Sequence, residues 1–156
     1  MQPVRDERAA FTAFVTDVEP RLRRALVALR GPERGREAVA EALAWAWEHW
    51  PKVQVMENPA GYLYRVGSSR SRARRRVPLP SRSEPPVAGP GFEPGLEPAL
   101  ARLSERQRTS VVLVHGCGWS YQEVAEALGL SKSSVGTHVA RGMERLRSEL
   151  GAHTHG

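Results

Sequence analysis

The sequence predicts an all-α protein made of two small helical domains joined by a flexible linker rich in proline and glycine. Three observations carry that expectation. Apolar residues recur at helical spacing on both sides of a break: Phe11, Phe14, Val15, Val18, Leu22, Leu26 and Leu29 precede it, and Val135, Val139, Met143 and Leu146 follow it. Within the break, Pro78, Pro80, Pro85, Pro86, Pro90, Pro94 and Pro98 alternate with Gly89, Gly91 and Gly95, a pattern that no regular helix or central strand accommodates. A chain of 156 residues, finally, suffices for one ordinary domain or two small ones, each with a modest core. The resulting partition is a first domain over 1–76, a linker over 77–96, a second domain over 97–150 and a disordered tail at 151–156.

The elements follow in order. Asp6 to Arg30 reads as two helices, or as one kinked at Pro20, and Gly31-Pro32 ends it. Ala38, Val39, Ala42, Leu43, Ala46, Trp47 and Trp50 mark the next helix before Pro51, with a strongly aromatic face. Asn58-Pro59 is an N-cap with proline at the first helical position, opening a helix with Tyr62, Leu63 and Val66 apolar. The linker then spans roughly 25 Å on average and at most about 70 Å when extended, so the two domains are expected to move independently. Leu96 to Leu103 is a short apolar helix, and Ser104-Glu-Arg-Gln107 is a capping box for a helix through Val111, Val112 and Val114 that Gly116 and Gly118 end.

The last segment carries the strongest pattern. Ser120-Tyr-Gln-Glu123 is a second capping box, and Val124, Ala125 and Leu128 form one apolar face before Gly129 stops the helix. Ser131 then caps a further helix by accepting from the amide of Ser134. Its apolar stripe is Val135, Val139, Met143 and Leu146. Its other face bears Lys132, Ser133, Ser134, Thr137, His138 and Arg141, short polar or cationic groups near an N-terminus, as in a helix that enters a DNA major groove.

Charge points the same way. The net charge is +6, and the excess lies in the first domain, where residues 1–76 hold 15 Lys or Arg against 9 acids. Gly61 to Arg76 contains Arg65, Arg70, Arg72, Arg74, Arg75 and Arg76 with no acid, and Tyr62 and Tyr64 stand at its start. Aromatics beside arginines can stack on exposed bases of single-stranded nucleic acid, although tyrosines at this spacing can equally be half-buried core. The single cysteine, Cys117, excludes an internal disulfide. Neither a set of ligands at zinc spacing nor a pairing of nucleophile with base occurs, so neither metal nor cofactor nor enzymatic activity is expected. No apolar run of membrane-spanning length exists, and a cytoplasmic location is expected.

Leu103-Ser-Glu-Arg-Gln-Arg108, Ser120 to Ser131, Val135-Gly-Thr-His138 and Arg145-Leu-Arg147 together resemble region 4 of the sigma-70 family, in its extracytoplasmic-function (ECF) branch. Phe11 to Arg30, Glu37 to Trp47 and Tyr62-Leu-Tyr-Arg-Val66 resemble region 2 in the right order and spacing. The resemblance implies that the first domain engages core RNA polymerase and the promoter −10 element, and the second the −35 element. It further implies Lys132, Ser133, Ser134, Thr137, His138 and Arg141 as −35 contacts, and Tyr62, Arg65, Ser69, Arg70 and Arg72 on the −10 element and melted strand. Glu37, Glu41 and Trp45 are the implied polymerase face, Trp45 being alternatively core. An anti-sigma protein is a partner that family members often have. The chain departs from the family at Ala40, Leu43, Ser69, Ala73, Gly136 and His138. Two other readings fit the residues: a dimeric helix-turn-helix regulator of duplex DNA, and a sigma-like interaction protein that has lost promoter opening.

Overall fold

A computed structural model describes residues 3–74 and 95–154, and among these every regular element is helical. The linker reading at 77–96 falls almost wholly outside the described residues. Helix α1 (Pro3–Arg30) is one continuous helix with Pro20 inside it. Proline is tolerated because it lies on the exposed side, while Val18, Leu22, Ala25 and Leu26 fill the buried stripe. Gly31, at φ 86°, turns the chain, and Pro32 occupies the first turn of α2 (Pro32–Glu48), which therefore begins one and a half turns before its first apolar residue. A short helix, α3 (Trp50–Val53), follows.

Helix α4 (Pro59–Arg74) packs against α2 and α1. Its approach to α2 is close enough that a Cβ on Gly67 would overlap the Ala38 carbonyl oxygen, so the small pair Gly67 and Ala38 sets that crossing. In the second half, α5 (Leu96–Ala101) and α6 (Glu105–Val111) precede a single π-helical turn, Val112–Gly116. Leu113 in this turn is fully buried.

Helices α7 (Tyr121–Leu128) and α8 (Lys132–Thr154) form the expected helix-turn-helix. Both capping boxes are present: the Ser104 hydroxyl accepts from the Gln107 amide at 3.2 Å, and the Ser120 hydroxyl from the Glu123 amide at 3.1 Å. Gly129 closes α7 at φ 66°, and the Ser131 hydroxyl accepts from the Ser134 amide at 3.1 Å. Helix α8 continues to Thr154, so residues 151–154 are helical where a disordered tail was expected. The reason is Leu150, half-buried against the Ala99, Leu103, Val111 and Leu146 cluster, which draws the last turns onto α5.

The cores also differ from expectation. Among the described residues, that four-residue cluster alone lies wholly in the second half. The main core runs without a break from Leu22, Leu26, Ala38 and Leu63 to Leu113, Trp119, Val124 and Val135, and α4 packs directly on α7. The two halves are docked, not separate.

Candidate nucleic-acid interface

Two exposed, basic surfaces stand on this frame. The first is the N-terminal part of α8. Lys132, Ser133, Thr137 and Arg141 are exposed, and Ser134 and His138 are half-buried. Val135 and Val139 are buried at 0% and 3% exposure, so the inward stripe fixes which side faces out. Two of the polar groups have local partners: the Ser131 hydroxyl donates to the Ser134 hydroxyl at 2.9 Å, and the Thr137 hydroxyl donates to the Ser133 carbonyl at 3.1 Å. Ser134 therefore acts first as part of the cap. Lys132 and Arg141 are the exposed cations of this face.

The second surface is a cleft of about 340 Å³ between the end of α2 and the outer stripe of α4, lined by Trp45, Tyr62, Arg65, Val66, Ser69 and Arg70. Positions 62, 65, 66, 69 and 70 share one helical face, which is why residues spread along nine positions meet in one groove. Arg65, Ser69 and Arg70 are exposed and Tyr62 is half-buried. Arg72 is also exposed but does not line the cleft.

Trp45 joins this cleft. Glu37, Glu41 and Trp45, the expected polymerase face, share one stripe of α2, but the Trp45 ring lies 5.4 Å from the Tyr62 ring. His49 stacks on Trp45 at 4.2 Å and 15°, its Nδ1 donating to the Trp45 carbonyl at 2.9 Å. Lys52 stands over both rings, 5.8 Å from Trp45 and 5.4 Å from Tyr62. Sequence reasoning missed His49 and Lys52. A signal existed: the chain has only two lysines, Lys52 and Lys132, and each stands on one of these surfaces.

Tyr64, adjacent in sequence to the cleft, points the other way. It is buried at 5% exposure and bonded to Arg30, and burial pushes its phenol above the usual range while the Arg30 charge pulls it back. Of the two alternatives for the tyrosine pair, Tyr62 lines the groove and Tyr64 is core. Among the described residues no group of three or more His, Cys, Asp or Glu could hold a metal ion, and no helix is long and apolar enough to cross a membrane.

A profile of the family "Sigma-70, region 4" matches residues 96–146. The chain is 30% identical over 129 residues to RNA polymerase sigma-E factor of Streptomyces coelicolor, covering 76% of this chain and 73% of that protein. It is 32% identical over 79 residues to RNA polymerase sigma factor CarQ of Myxococcus xanthus, covering 51% and 45% respectively. In fold, it is similar to the Bartonella quintana sigma factor RpoE solved with the anti-sigma factor NepR, with TM-score 0.68, 24% identity, and 90% and 96% of the two chains covered. It is also similar to CnrH solved with the cytosolic domain of CnrY, with TM-score 0.64, 24% identity, and 93% and 90% covered.

Proposed function

The chain belongs to the sigma-70 family of RNA polymerase sigma factors, in its ECF branch, and from that premise we propose how its two surfaces divide the work of promoter recognition. The helix-turn-helix face, led by Lys132 with Ser133, Thr137, His138 and Arg141, reads the −35 duplex, while Ser134 positions the helix. A helix N-terminus presenting short polar groups suits the major groove, where base edges carry a unique pattern of donors and acceptors. The α2/α4 cleft holds the −10 region once its strands separate. Tyr62 and Trp45 offer ring faces to an unstacked base, Arg65, Arg70 and Lys52 neutralise the adjoining phosphates, and Ser69 supplies a hydroxyl that can donate or accept. Glu37 and Glu41, on the α2 stripe leading to the cleft, face core RNA polymerase. Catalysis is left to the polymerase. An anti-sigma protein is proposed as a regulatory partner, on the likeness to two sigma factors solved in such complexes.

The observation that carries this division is the cleft itself: aromatic rings, cations and a hydroxyl converge on α4, apart from the exposed face of α8. The S. coelicolor relative is matched over a span longer than either half, which favours one two-part promoter reader over a lone helix-turn-helix with a dimerisation domain.

Run-off transcription with core polymerase on genomic promoter fragments tests it. Lys132→Ala should weaken binding to the −35 duplex and reduce the salt slope by about one unit. Arg70→Ala and Lys52→Ala should leave that duplex binding intact and impair opening, read as loss of permanganate-reactive thymines. Failure of the native chain to direct any initiation would exclude the proposal.

A further inference from the structure

The outer face of α8 has a bare centre. On a helix of about 3.6 residues per turn, Lys132 and Arg141 stand roughly half a turn apart around the axis, and Ser133, Gly136, Thr137 and Ala140 fall between them. Gly136 brings no side chain, and the exposed Ala140 brings only a methyl group. Thr137 is exposed as well, but its hydroxyl proton is already given to the Ser133 carbonyl at 3.1 Å, so its methyl is the group left uncommitted. The Ser134 hydroxyl accepts from that of Ser131 at 2.9 Å, within the cap of the same helix.

A ring from the first helix of the motif fills the bare point. Where a Cβ on Gly136 would stand, the Tyr121 ring lies 3.6 and 3.9 Å away, in ordinary contact. Tyr121 is 38% exposed, so the ring packs on the helix and still faces solvent. Its backbone is fixed on both sides. Before it, Trp119 is 3% exposed and donates its amide to the Leu113 carbonyl at 2.9 Å; after it, Val124 is fully buried. A side chain carried on so rigid a start holds its direction.

Tyr121, Thr137 and Ala140 thus form an apolar strip bracketed by two exposed cations. That charge pattern points to a DNA duplex as the occupant. Lys132 and Arg141 are nine residues apart, about 14 Å along the axis, against a major groove about 12 Å wide. Each flank can therefore meet a phosphate backbone while the strip lies over base edges. Those edges differ in what an apolar strip can take. The thymine C5 methyl is the one apolar group displayed in the groove, and a Thr methyl or an aromatic ring is suited to touch it. Guanine presents N7 and O6 there, acceptors that the strip would strand without water or a donor.

We infer that Tyr121, seated over Gly136, reads a thymine methyl in the −35 duplex, with the Thr137 methyl completing the contact, and so sets which base pair the centre of α8 accepts. This rests on the −35 role proposed for α8 and deepens it. Gly136 has a part in it, since a long side chain there would stand between the ring and the groove. Lys132 and Arg141 then fix the register on the phosphates, and selection at the centre follows from shape and exclusion of water. The Tyr121 hydroxyl has no part in the selection.

The test removes the methyl from the DNA and leaves the protein intact. The full chain, bound to core polymerase, is used to enrich duplexes from a pool randomised across the −35 segment, and each thymine of the enriched sequence is then replaced singly by deoxyuridine. One position should lose about fourfold in affinity, the worth of one buried methyl group. In Tyr121→Ala, with helical circular dichroism unchanged, that position should become indifferent to the methyl, whereas Tyr121→Phe, which keeps the ring, should retain the loss. Gly136→Arg should move the preference there from thymine towards guanine, whose O6 and N7 a guanidinium binds as a fork. An enriched sequence insensitive to deoxyuridine throughout, or lacking thymine, would overturn the inference and leave the −35 role in place, as would a methyl effect undiminished in Tyr121→Ala. A pool from which no sequence is enriched would overturn both.

Discussion

Gly136 shows how much one position can carry. It sits on the first turns of α8, and a Cβ there would meet only the Tyr121 ring, at 3.6 and 3.9 Å, ordinary van der Waals contact. Gly136→Ala should therefore raise stability by about 0.5–1 kcal/mol, from helix propensity alone. In thermal unfolding this should appear as a rise of about 2–4 °C per kcal/mol. A fall in Tm would mean that the Tyr121 ring cannot accommodate the methyl. Tyr64 makes a second residue-scale prediction. Its folded-state pKa is raised by burial, so its stabilising share is whole below about pH 10, the unfolded value, and is lost as pH rises through the folded one. Tyr64→Phe, which cannot ionise, should flatten the alkaline loss of stability seen by circular dichroism above about pH 10, relative to the native chain. Identical alkaline profiles would place the titrating group elsewhere.

At the scale of elements, the helix-turn-helix is built from local rules. Each start has its hydroxyl cap and the turn has its left-handed glycine, and these need no knowledge of the rest of the chain. Ser120→Ala should cost about 1 kcal/mol by leaving the Glu123 amide without its acceptor, measurable as a lower urea midpoint with unchanged m-value. Helix α1 shows the opposite case. Pro20 suggested a break or kink, yet one helix persists because the proline faces solvent and the flanking buried stripe of Val18 and Leu22 holds the two halves in line. The π-helical turn at Val112–Gly116 had no sequence signal either, since it serves to aim Leu113 into a core that the local sequence does not describe.

For the whole molecule, the central fact is that the core crosses from one half to the other. Cys117 lies at this junction, half-buried, and burial pushes its thiol above the usual range, with Arg24 and Arg21 opposing it. A raised thiol holds less thiolate at any given pH, so Cys117 should react with a small disulfide reagent at pH 8 more slowly than free cysteine. Gly61→Ala, whose added Cβ would overlap the Glu123 carbonyl oxygen where α7 meets α4, should speed that reaction severalfold with stoichiometry still one thiol per chain. Unchanged kinetics in that variant would show that the thiol is shielded within its own half and not by docking.

The sequence by itself determined the helix-turn-helix, its caps and which side of α8 faces outward, because these depend on contacts within four residues and on one apolar stripe. It also placed Tyr62, Arg65, Ser69 and Arg70 together, since they share one face of a single helix. It could not tell whether the tyrosines of α4 are exposed or half-buried core, nor bring His49, Lys52 and Trp45 to the cleft, because that depends on how α2 and α3 cross α4. Nor could it tell that the two halves are docked: Gly61 reads as a neutral helix position until α7 is laid upon it. Only tertiary structure decided these matters, since a missing side chain becomes informative when the backbone that occupies its space is known.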